Sequence, residues 1–151
     1  MSGHILALDP GERIGWARSD WTCGTLDLTG PFKRDQGEAL DAFLSWLMNE
    51  FVGCVLVVIE RPFGRHPSSI ITPSIISAIT HTLAYQLGVD RREMAVSTIR
   101  KLALGSGKAK KAEVLPAMLA AGWPCRNDHE ADAAALLMAA LEMAKTERVA
   151  A

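Results

Sequence analysis

The sequence predicts an α/β fold in one domain, residues 1–151, with a mixed five-stranded sheet flanked by helices. Three observations point there. Ile5, Leu6, Ala7 and Leu8 form an unbroken apolar run closed by Asp9-Pro10-Gly11, which suits a strand buried on both faces and stopped by a sharp turn. A second run, Val55 to Ile59, closes on Glu60 and follows an amphipathic segment long enough to serve as the crossover between parallel strands. Beyond it helical patterns dominate, broken by one short strand.

In chain order, Ile14 to Ala17 and Thr22 to Leu28 read as strands joined through a Ser19-Asp20 turn, completing an antiparallel meander with the first. Thr29-Gly30-Pro31 is expected to break it. Asp35 and Glu38 make a capping box, and Leu40, Phe43, Leu44, Leu47 and Phe51 follow at helical spacing, so residues 36–51 read as a helix ended by Gly53. Cys54 to Glu60 is the central strand. Two prolines and a glycine between Arg61 and Pro67 exclude regular structure there. Residues 73–87 read as a helix whose Ile75, Ile76, Ile79, Leu83 and Leu87 cover a wide apolar surface, suited either to a fully buried core helix or to a homodimer interface. Met94 to Val96 is a short strand, and Ser97 opens a helix that stops at Gly105-Ser106-Gly107. A further helix over 108–121 ends at Gly122, and Asn127 with Glu130 caps a last one running through 131–144, beyond which the chain is expected to fray.

The net charge of −1 by itself argues against a nucleic-acid partner, but the charge is unevenly distributed. Residues 61–111 hold nine Lys or Arg and two acids, net +7, whereas the remainder is −8. That asymmetry suits a basic face for a polyanion as well as an ordinary solvated surface. The apolar stretches are too short to span a bilayer and the N-terminus lacks a secretory layout, so a cytoplasmic protein without membrane partners is expected. Cys23, Cys54 and Cys125 show no CxxC spacing and are expected to be free thiols.

Strands joined by a helical crossover end on the same side of a sheet, which brings Asp9 and Glu60 together. His129 and Asp132, spaced i, i+3, share one helix face. Taken singly, each has a structural reading: Asp-Pro-Gly is a common turn, and Asp132 suits a helix N-terminus. Together, three carboxylates and an imidazole converging from two strands and a helix are a donor set for Mg²⁺ or Mn²⁺. Two such ions about 4 Å apart are the arrangement that hydrolyses phosphodiesters. Crowded acids repel one another unless cations are present, which is a further reason to expect metal.

These residues resemble the RuvC-type Holliday-junction resolvases of the ribonuclease H-like superfamily. Ile5 to Gly11 with Gly15 is similar to that family's first motif and Val58-Ile59-Glu60 to its second. Gly105 to Val114 is similar to its glycine-and-lysine segment, and His129 to Ala135 resembles its closing acidic motif. The resemblance implies that Asp9, Glu60, His129 and Asp132 ligate metal and that Lys111 supports charge near the scissile phosphate. It also implies that Phe63 stacks on bases at the junction and that Arg100 contacts DNA, with Arg65, Lys101, Lys108 and Lys110 as neighbouring phosphate contacts. The activity implied is paired symmetric nicking of four-way DNA junctions, leaving 5′-phosphate and 3′-hydroxyl ends, by a homodimer joined through the helix at 73–87. Arg61-Pro62 and the short meander depart from the cellular members. Other readings are a branched-DNA or RuvX-like RNA-processing nuclease of the same fold, and a branched-DNA binder that does not cut.

Overall fold

The computed structural model describes residues 3–150 and contains the mixed five-stranded sheet that the sequence predicts. Its strands are β1 (His4–Asp9), β2 (Arg13–Arg18), β3 (Cys23–Asp27), β4 (Cys54–Glu60) and β5 (Asp90–Met94), in the order β3-β2-β1-β4-β5. The first three form the antiparallel meander, while β1 with β4 and β4 with β5 run parallel. The register sets Leu8 beside Ile59, so β1 and β4 finish together at Asp9 and Glu60.

Alternation along the strands divides the core into two layers. Leu6, Leu8, Ile14, Val57 and Ile59 face α2 (Gln36–Glu50) and α3 (Pro67–Leu87), where Phe43, Leu47, Ile76 and Leu83 fill the space. Ala7, Ala17 and Val58 face the other way, onto α4 (Val96–Leu104), α5 (Val114–Ala120) and α6 (Asp128–Ala150). Small residues on both sides let α6 lie close to the sheet, because Ala131, Ala134 and Ala135 meet strands that are themselves alanine-bearing. Among the described residues, no helix is long and apolar enough to cross a membrane.

Several boundaries differ from the sequence expectation, each for an identifiable reason. Thr29-Gly30-Pro31 begins a helix, α1 (Thr29–Arg34), instead of ending order. The Asp27 carboxylate accepts the Thr29 N–H at 2.9 Å, and Pro31 falls in the first turn, where its missing N–H costs little. The helix expected from residue 73 starts six residues earlier with Pro67 in its first turn; Pro73 lies inside it and offers no N–H to the Ser69 carbonyl. The strand expected at 94–96 is Asp90–Met94, an edge strand whose charged Asp-Arg-Arg-Glu hides strand character and discourages further pairing. The helix expected over 108–121 shrinks to a 3-10 turn, Lys111–Glu113, followed by α5. The Glu113 carboxylate accepts the Lys110 N–H, and Arg100 donates to the Ala109 carbonyl at 3.0 Å, holding the preceding segment open. The final helix continues to Ala150.

Candidate active site

Asp9 and Glu60 stand at the ends of neighbouring parallel strands, and the first turns of α6 bring His129 and Asp132 to the same place. Gly15 makes this possible. It sits opposite Asp9 in the β1–β2 pair, and a Cβ there would overlap the His129 carbonyl, so only glycine lets the head of α6 rest against β2.

A second device fixes the same helix end. Glu130 is fully buried; its carboxylate accepts Thr25 Oγ1 at 2.8 Å, the Arg126 N–H at 3.0 Å and an Arg126 guanidinium N–H at 3.2 Å. Asn127 Oδ1 completes the cap by accepting the Glu130 N–H at 3.0 Å. Burial pushes the Glu130 carboxyl up, but its Arg126 and Thr25 hydrogen bonds outweigh that and hold it below the usual range. The sequence shows Glu130 only as a capping residue; its role as the tie between α6 and β3 depends on a partner 105 residues away.

Asp9, Glu60, Lys111, His129 and Asp132 line one cleft of about 560 Å³, together with Phe63 and Arg100. Burial, then the charge of Glu60, raises Asp9 well above the ordinary carboxylate range. Glu60 is raised by burial and by the charge of Asp132, so the two strand-end carboxyls both resist ionisation and titrate as a pair. Burial also raises Asp132, opposed by Lys111, whose Nζ lies 3.3 Å from Asp132 Oδ2. Burial lowers the Lys111 ammonium, but Asp132, Asp9 and Asp128 together raise it above its usual value. Among the described residues, no three His, Cys, Asp or Glu side chains stand in ready-made ligating geometry.

Phe63 is 82% exposed at the cleft, which excludes packing under its loop as its role. Arg13 and Arg61, which the sequence reading did not single out for the site, also line the cleft; Arg13 pairs with Asp27 at 3.3 Å and Arg61 with Glu93 at 3.7 Å. Both begin or follow a strand end, the one local signal that could have found them. Arg65, Lys101, Lys108 and Lys110 lie outside the cleft lining; Lys108 and Lys110 border a separate depression beside α5.

This strand order, with acids at the ends of two central parallel strands and another at the head of the helix packed on them, defines a ribonuclease H-like architecture. Within that class the chain superposes on the RuvC structure of Thermus thermophilus with a TM-score of 0.79 at 16% identity, over 95% of this chain and 96% of that one. It is equally similar to T. thermophilus RuvC in complex with Holliday junction substrate, with a TM-score of 0.79, 18% identity and 96% of each chain covered. At such identity the likeness is one of fold. No protein-family model and no curated protein sequence matches the chain.

Proposed function

We propose that this protein is a Mg²⁺- or Mn²⁺-dependent, structure-selective endodeoxyribonuclease that resolves four-way DNA junctions by paired symmetric nicks. One observation carries the reading: three carboxylates, an imidazole and a lysine from four separate elements line one cleft, at whose edge an aromatic ring stands free. The fold it shares with a RuvC bound to Holliday junction substrate supports the choice of DNA.

The donor chemistry fits a hard divalent cation. Asp9, Glu60 and Asp132 are acids that burial holds partly against ionisation, and a divalent cation among them would offset both that burial and their mutual repulsion. These residues with His129 would hold the ions, two per site. When bound, divalent cations polarise the scissile phosphate and lower the pKa of water at the site. The chain's own residues do the rest. Asp9 and Glu60, fixed at the ends of β1 and β4, present their carboxylates to the same point. Lys111, tethered by Asp132, places an ammonium beside the phosphate and stabilises charge that grows there during in-line displacement. Phe63 stacks on a base left unpaired at the branch, and Arg100 with Arg13 and Arg61 meets the flanking phosphates. Arg65, Lys101, Lys108 and Lys110 extend this contact along the arms.

A four-way junction has two equivalent strands to nick, which a two-fold dimer matches. The proposed interface is α3, whose Ile71, Tyr85 and Leu87 are exposed. Cleavage of junction, flap, linear duplex and RNA in parallel tests the substrate. Preference for the junction with Mg²⁺ or Mn²⁺ supports the reading; equal cutting of all four overturns junction selectivity, and selective RNA cutting assigns the chemistry to RNA processing.

A further inference from the structure

The thiols of Cys23 and Cys125 stand 4.0 Å apart although 102 residues separate them in the chain. Cys23 opens β3 and is half-buried, while Cys125 is buried in the segment that leads into α6. A disulfide has an S–S length near 2 Å, so the two sulfurs need to approach by about 2 Å, within reach of modest side-chain rotation. Cys54 is no competitor. It belongs to the core layer on the opposite side of the sheet, and its thiol is engaged with the Leu56 carbonyl at 3.3 Å.

We propose that Cys23 and Cys125 are an oxidation site that closes to an intramolecular disulfide when the protein meets a peroxide. Cys23 sulfur, as the thiolate, attacks a peroxide oxygen, the O–O bond breaks to give Cys23 sulfenic acid, and the departing hydroxide leaves as one water with the proton that Cys23 gave up. Cys125 sulfur then displaces the sulfenic hydroxyl, which leaves as a second water after taking the Cys125 proton. Two electrons pass from the two sulfurs to the peroxide. Cys23 acts first because solvent reaches it; Cys125 resolves.

Burial pushes both thiols up, Cys125 to about 12, which keeps the thiolate fraction small and makes the oxidation slow. Once formed, the bond ties the start of β3 to the entry of α6. Thr25 and Glu130, two residues after Cys23 and five after Cys125, already join these two elements. The covalent link therefore reinforces an existing junction, and it constrains the unfolded chain through a long loop.

The test treats the full chain with hydrogen peroxide, labels remaining thiols with a maleimide in denaturant, and maps the digest by mass spectrometry. The expected result is a Cys23–Cys125 linked peptide lighter by two hydrogens, with Cys54 alone labelled. The oxidised protein is expected to melt at least about 5 °C higher, reversibly with dithiothreitol. Cys54→Ser is expected to behave like the parent, and Cys23→Ser and Cys125→Ser to show no gain. Three labelled thiols after oxidation, a link involving Cys54 or a second chain, or sulfinic acid without the linked peptide would overturn the proposal.

Discussion

Asp9 sits where burial and the neighbouring Glu60 both disfavour its charge. Its folded pKa therefore lies above the unfolded value near 3.9. The sign follows: the folded state favours the protonated form, so this contribution is full below the unfolded pKa and is lost as pH rises through the raised folded value. At pH 8 without divalent cations, Asp9→Asn is expected to be more stable than the parent by about 1–2 kcal/mol, or roughly 2–8 °C in Tm. Adding Mg²⁺ should raise the parent's Tm and leave the variant's nearly unchanged, because ligand binding stabilises only a site that can form. Thermal melts with and without cation check both halves. Asp9, Glu60 and Asp132 were legible in the sequence because each ends or begins an element whose pattern is plain. Arg13 and Arg61 were not, because which strand end faces the cleft depends on sheet order.

The elements that place these residues depend on two close fits around the head of α6. Gly15→Ala puts a methyl group where the His129 carbonyl lies, so the helix must shift by an ångström or more, carrying His129 and Asp132 with it. A loss of about 10²-fold or more in cleavage rate is expected, together with a lower Tm, measured by nicking and melting of the same preparation. Glu130→Gln keeps the shape but removes the charge that Arg126 and Thr25 satisfy, and is expected to cost about 1–3 kcal/mol at neutral pH. Here the sign is opposite to that of Asp9. The folded Glu130 pKa is depressed, so its stabilisation is present above the unfolded value near 4.3 and fades as pH falls through the folded one. Melts of parent and variant should therefore converge in acid. At this scale the sequence was most readable where apolar pattern and caps agreed, as in α2, where the Asp35 side chain accepts the Glu38 N–H at 2.9 Å. It was least readable where tertiary pairing overrode composition: β5 is nearly all charged yet pairs with β4, and the loop before Lys111 is held by Arg100 from another helix.

Across the whole molecule, the carboxylates of the candidate site gather at the C-terminal end of the parallel strands, and a long helix beside that cleft leaves apolar side chains uncovered. Ile71 is 53% and Tyr85 75% exposed on α3. If α3 joins two copies, sedimentation at micromolar concentration gives about twice the 16.3 kDa chain mass, and Ile71→Asp returns the monomer. A monomeric parent at that concentration contradicts the interface. Sequence reading reached the sheet and both central strands because unbroken apolar runs and crossover length are local; it left open how far α3 is buried, since that depends on what else packs against it.

Cleavage of a synthetic four-way junction by the parent and by Asp9→Asn, in Mg²⁺, Mn²⁺ and EDTA, tests the central claim most directly. The account predicts paired nicks at symmetric positions across the branch, present with either metal, absent in EDTA and absent in the variant. A junction that is bound tightly yet left whole under every metal, or nicks that persist in Asp9→Asn, would contradict it.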